Sequence, residues 1–100
     1  MATKSNFTTY RFIVTKLGFD PEMLRALLTL ALKETELIYG RAKLKLDVSY
    51  ELPGRRPICT IQADTECGEH LAKLLSGFLI KQVGEQGFRV ARLGKNPWKR

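Results

Sequence analysis

The chain is poor in the residues that carry most catalytic and metal chemistry. It has a single histidine, His70, and two cysteines, Cys59 and Cys67, in 100 residues. Two cysteines are too few for a disulfide scaffold or a cysteine-only zinc site, and their spacing of eight fits no metal motif. Both are expected to be ordinary reduced residues of a cytoplasmic protein. One histidine leaves little room for a His-based triad or metal centre. No P-loop, G-x-G-x-x-G, G-x-S-x-G or H-E-x-x-H run is present, which removes the nucleotide, hydrolase and zincin signatures. No apolar run approaches the ~18 residues that span a bilayer. The opening residues, MATKSNFTTYRF, contain no apolar core of a signal peptide, so no such leader is expected. Acids are also outnumbered, ten against seventeen lysines and arginines, giving a net charge of +7. Such an excess points to anionic partners and says nothing of fold.

What is present suits one compact domain with one core. Hydrophobic residues make up 44% and charged residues 27%, near the globular average, so disorder is not the expectation. Residues 1–8 read as a loose N-terminus, 9–93 as a single α/β domain, and 94–100 as a basic C-terminal tail.

Thr9 to Leu17 is rich in β-branched and aromatic residues. Tyr10, Phe12 and Val14 alternate with Arg11, Ile13 and Thr15, predicting a strand with its aromatic side inward. Gly18 breaks the run, and Asp20-Pro21-Glu22 supplies a capping carboxylate, a proline for the first helical position and an acid for the positive helix end. Leu24, Leu27, Leu28, Ala31, Thr35 and Ile38 then recur at helical spacing as far as Gly40. Leu30, Leu32 and Leu37 widen that stripe. The excess is read either as a broad core helix or as a second buried contact, with Leu30 and Leu37 as oligomer-interface candidates.

Lys43 to Leu52, KLKLDVSYEL, alternates for ten residues, with Leu44, Leu46, Val48, Tyr50 and Leu52 on one side. This predicts a strand with one buried and one wet face. Pro53-Gly54 is the favoured centre of a type II turn, with Arg55 and Arg56 at its tip. Ile58 to Ala63 returns to complete a hairpin. Asp64 or Thr65 caps a second helix bearing Cys67, Leu71, Leu74, Leu75, Phe78, Leu79 and Val83 on one side. Phe88 to Leu93 is a last short strand.

The expected fold class is therefore α+β, a ferredoxin-like β-α-β-β-α-β sandwich: a four-stranded antiparallel sheet with two helices on one face. The first and third strands would lie in the centre, and the opposite sheet face would remain open.

Charge is divided along this pattern. Residues 1–18, 41–56 and 88–100 hold +11, and the two helical stretches, 20–40 and 64–87, hold −4. A basic sheet side and a mildly acidic helical back would attract a polyanion better than evenly spread charge. Arg11, Ile13, Thr15, Lys43, Lys45, Asp47, Ile58, Thr60, Gln62, Arg89 and Ala91 are expected to face away from the helices. The candidate nucleic-acid contacts are Arg11, Lys43, Lys45, Arg55, Arg56, Arg89 and Arg92, with Lys95, Trp98, Lys99 and Arg100 of the tail. Trp98 beside the tail cations would combine stacking with charge. The same open face supports a different reading. Ile13 and Ile58 at its centre suit sheet-to-sheet packing, making the chain an assembly protein, a dimer or a module for an acidic protein partner. The plainest reading is a solvated face kept soluble by Lys and Arg.

Phe12-Ile-Val-Thr-Lys-Leu17 followed by Gly18-Phe-Asp-Pro-Glu-Met-Leu24 resembles the opening of an RNA recognition motif domain. That family stacks bases on aromatic residues of its central strands. Ile13, Ile58 and Thr60 stand in those slots here, so the chain is not assigned to the family, and any nucleic-acid binding would be mostly electrostatic.

Cys67 and His70 lie three apart near a helix N-terminus, a setting that lowers a thiol pKa. With Glu66 and Glu69 adjacent they form the one candidate nucleophile–base pair, against the simpler reading of Cys67 as core. Gly68 allows close backbone approach. No catalytic residue, metal, cofactor or small-molecule ligand is expected, and the sequence favours a binding module over an enzyme.

Overall fold

The structure, a computed structural model, describes residues 8–93. The expectations on Lys95, Trp98, Lys99 and Arg100 fall outside the described residues. The elements in chain order are β1 (Thr9–Val14), α1 (Pro21–Tyr39), α2 (Arg41–Asp47), β2 (Ser49–Glu51), β3 (Ile58–Gln62), α3 (Glu66–Val83) and β4 (Phe88–Arg92). The strands form one antiparallel sheet in the order β2-β3-β1-β4, so β1 and β3 are central and β2 and β4 are edges. The fold is α+β, with an open four-stranded sheet and three helices.

Helix α1 starts as its sequence dictates. The Asp20 side chain accepts a hydrogen bond from the Met23 amide at 3.0 Å, and Pro21 occupies the first turn, where its missing N–H costs nothing. At α3 the cap is Thr65, whose hydroxyl accepts from the Gly68 amide at 2.9 Å. Leu24, Leu27, Leu28 and Ala31 of α1 and Leu71, Ala72, Leu75 and Leu79 of α3 enclose Phe12, Val14, Cys59 and Ile61 of the central strands. Both helices therefore cover one face of the sheet.

The stretch read as one long strand divides in two. Arg41–Asp47 is a helix, and only Ser49–Glu51 pairs with β3. Arg, Ala, Lys and Leu are all strong helix formers, and Lys43 reaches Asp47 one turn later at 3.0 Å, a pairing that alternation hides. Gly40 makes the corner between α1 and α2 with φ +90°, a conformation costly for any residue with a side chain. No residue of α2 is buried: Leu44 is half-buried and Leu46 is exposed. The alternating leucines thus do not form a second inward row of the sheet. Lys43, Lys45 and Asp47, expected on the open face, lie on this helix instead. The expected two helices are three.

Candidate nucleic-acid interface

The uncovered sheet face is built from residues that alternate with the core set. Its registry is fixed by three ladders. Ile13 lies between Ile58 on β3 and Arg89 on β4. In the next row Glu51, Thr60, Arg11 and Ala91 run across all four strands. Ser49, Gln62 and Thr9 form the third row, in which Thr9 is buried and not part of the open surface. Seven residues expected on this face, Arg11, Ile13, Ile58, Thr60, Gln62, Arg89 and Ala91, stand there by registry.

The loops add charge at one end. The Val14 amide bonds the Pro57 carbonyl at 3.0 Å, and the Thr15 and Lys16 amides both bond the Gly87 carbonyl, at 2.9 and 3.1 Å. These bonds tie the end of β1 to the starts of β3 and β4. Lys16, Arg55, Arg56 and Arg89 consequently gather at the same end of the sheet, with Arg11 one row further in. All five are exposed, and none forms an ion pair among the described residues. Asp20, Glu51 and Glu85 are the nearest acids along these segments, each four residues from one of the cations.

Elsewhere two of the eight other cations among the described residues are paired with neighbours, while Arg25, Lys33, Lys45, Lys73, Lys81 and Arg92 form no ion pair. Lys43 pairs with Asp47, whose hydrogen bond and charge raise the lysine pKa, and Arg41 Nε meets Glu36 Oε2 at 3.2 Å. Lys45 sits on α2, away from the ladders. Arg92 lies opposite Tyr10, on the helix side of edge strand β4. Helix α2 carries Arg41, Lys43 and Lys45 against Asp47, so the helical stretches hold −2 instead of −4 and the sheet side is less basic by the same two charges.

The Cys67–His70 neighbourhood does not assemble a nucleophile. Cys67 is fully buried, and burial together with the Asp47 carboxylate raises its pKa, the direction opposite to activation. Cys59 lies deeper in the core, and burial pushes its thiol up to about 12. The His70 ring stands edge-on to Tyr39, with centroids 5.6 Å apart, and its Nε2 is buried with no hydrogen-bond partner among the described residues. A side chain at Gly68 would meet the Gln62 carbonyl, so that glycine serves helix-to-strand packing. No three His, Cys, Asp or Glu among the described residues gather to hold a metal ion. No helix among them is long and apolar enough to cross a membrane.

Sequence reasoning missed Lys16 as part of the charged end. Its signal was its place directly after the first strand, where a loop residue sits level with the hairpin tip. Comparison with known protein families, curated proteins and solved structures returns no match.

Proposed function

We propose that the chain is a non-catalytic module that binds single-stranded nucleic acid, RNA or DNA, through the open sheet face. The observation that carries this reading is the group of five exposed cations, Arg11 and Arg89 on the sheet with Lys16, Arg55 and Arg56 in the loops at the same end, none of them in an ion pair among the described residues. Cations in this arrangement meet phosphates and supply affinity with little sequence readout. The neutral centre of Ile13, Ile58 and Thr60 offers no stacking ring, so electrostatics must provide most of the binding. We read the fold as a ferredoxin-like sandwich to which α2 has been added, which leaves this face free.

Anisotropy titration of labelled oligouridylate and oligothymidylate against salt tests the reading. For about four phosphate contacts, log K against log salt has a slope near −3. The Arg11→Glu/Arg89→Glu double variant is expected to lose at least ~tenfold in affinity at low salt while folding normally. Absent binding, or binding insensitive to salt, overturns the proposal.

A second reading has its own observation. Met23, Leu30 and Leu37 recur every seven residues on the outward side of α1, and Leu30 and Leu37 are 52% and 86% exposed. That stripe is distinct from the core-facing set and suits assembly through the helix. A sedimentation mass near twice 11.4 kDa, lost in Leu30→Asp, would support it. A monomer at high concentration would remove it.

A further inference from the structure

We infer that the free edge of β4, with the groove between it and α3, accepts an extended segment of a partner protein carrying apolar residues on one side and acidic residues on the other. Among the described residues β4 is bonded only on its β1 side. The Leu93 amide donates to the Thr9 carbonyl, and the Gly87 carbonyl accepts from Thr15, so residues of odd number in this run face β1 with their backbone groups. In an antiparallel ladder the residues between them must point their N–H and C=O the other way. Phe88, Val90 and Arg92 therefore present three donors and three acceptors to the outside, the template for one more strand.

A bare edge alone names no occupant; its surroundings do. Phe88, Val90 and Arg92 carry their side chains on the helix side of the sheet, opposite Val14, Phe12 and Tyr10. Beyond Val90 the surface dips into a cavity of about 170 Å³ lined by Ala72, Lys73 and Ser76 of α3 together with Phe12, Tyr10 and Glu69. Val90 on the strand and Ile80 on α3 are each 43% exposed. An added strand would direct every second side chain onto this apolar strip, where burial favours Val, Ile or Leu. Its alternate side chains would lie on the open face beside Arg89, where a carboxylate is the complement. On the groove side Lys73 shares the lining with Glu69, so the preference for acids rests on Arg89 of the open face.

The charges also decide against a second copy as the occupant. Antiparallel self-pairing about Val90 would set Arg89 beside Ala91 and Arg92 beside Phe88 of the other copy. Four arginines would then share one two-stranded ribbon that contributes no acid. Edge cations commonly prevent such pairing. An acidic strand removes the penalty by neutralising them.

The test uses the full chain, isotope-labelled, titrated with an acetylated peptide alternating glutamate and valine, and with its lysine–valine counterpart. Binding of the glutamate peptide should slow amide exchange at Phe88, Val90 and Arg92, whose N–H groups face outward, and leave Arg89 and Ala91 little changed. Val90→Pro removes one outward donor while keeping the β1 ladder, because proline is tolerated on an edge strand with its nitrogen outward. It should weaken binding about tenfold. Arg89→Glu, a change on the exposed open side, should weaken the glutamate peptide and favour the lysine one. Equal binding of both peptides, unchanged binding in Val90→Pro, or no exchange protection at the three amides overturns the proposal. So does a dimer of the free chain that Val90→Pro dissociates, since the edge would then belong to a second copy. Oligonucleotide affinity of Val90→Pro should match the parent chain, which separates this edge from the open-face reading.

Discussion

The two faces of the sheet are made by the same strands and obey different physics. On the helix side Phe12, Cys59 and Ile61 are sealed beneath α1 and α3; on the other side their sequence neighbours Ile13, Ile58 and Thr60 remain partly exposed. One residue of displacement along a strand moves a side chain from close-packed core to open surface. Stability therefore resides on the first face, where packing leaves no slack. The second is free to vary, and it is where five cations can collect at little cost to the fold.

The sharpest test of that division is a cavity on the covered side. Leu75 is fully buried at the centre of α3, in the core cluster that also holds Phe12, Val14, Cys59 and Ile61 of the central strands. Leu75→Ala should cost about 2–5 kcal/mol, the range for emptying a packed leucine site. Measured by urea unfolding, a loss below about 1 kcal/mol would mean the covered face is not the stabilising one. Arg11→Ser, on the same sheet but facing out, should move the midpoint hardly at all.

The junction between the faces gives the next effect. Gly87 is buried at the start of β4, and its carbonyl accepts from the Thr15 and Lys16 amides and, at 3.3 Å, from the Thr15 hydroxyl. A β-carbon there would drive into Val83. Gly87→Ala should destabilise by about 1–3 kcal/mol through overpacking. It should also lower oligonucleotide affinity, because these bonds hold Lys16 and Arg89 at one end of the sheet. Loss of stability without loss of affinity would show that the charged end needs no such alignment.

The thiols report on the covered face without mutation. Burial raises the Cys59 pKa from 9 to about 12, and raises that of Cys67 too. A raised folded pKa leaves stability intact while the thiol is neutral in both states. Stability then falls as pH rises above 9, where the unfolded thiol ionises and the buried one does not, and the loss is complete once pH passes about 12. Thermal melts across pH 8 to 11 should show this decline, and Cys59→Ala should reduce its slope. At neutral pH neither thiol should react with an aromatic disulfide until the chain unfolds; fast reaction of Cys67 would reopen the nucleophile reading.

Much of this was legible in the sequence, because local signals and burial agreed there. Asp20-Pro21 gives the start of α1 by supplying an acceptor and a fixed φ, and Tyr10, Phe12 and Val14 report their face through strict alternation. The order with β1 and β3 central followed from connection rules. Arg11 and Arg89 were placed by the same alternation that placed Phe12. The failure came between residues 41 and 47, where period two and strong helix propensity conflict. RAKLKLD alternates like a strand, yet every residue in it except Asp47 favours a helix, and Lys43–Asp47 closes a turn. Two candidate phosphate contacts, Lys43 and Lys45, left the sheet with that error. The edge position of β4 followed from the same connection rules, but the groove beside it was illegible, because it is shaped by how α3 sits over the edge strand and not by any one stretch of sequence.

The smallest expected effect is also the most discriminating between the two descriptions of that segment. Were residues 43–52 a strand, Leu46 would sit between Leu44 and Val48 on the buried side, and Leu46→Lys would force a charge into the core at a cost of several kcal/mol. On α2 its side chain is exposed, on a helix with no buried residue. Lysine ranks with leucine as a helix former. The substitution should therefore shift stability by no more than about 0.5 kcal/mol, as at ordinary surface positions. Leu44→Lys, one step inward, should cost more, because Leu44 borders the cavity shared with Leu32, Val48 and Tyr50. Equal and large losses at both positions would restore the long strand. A gradient from Leu44 to Leu46 is the mark of a helix lying on the surface with one side turned inward.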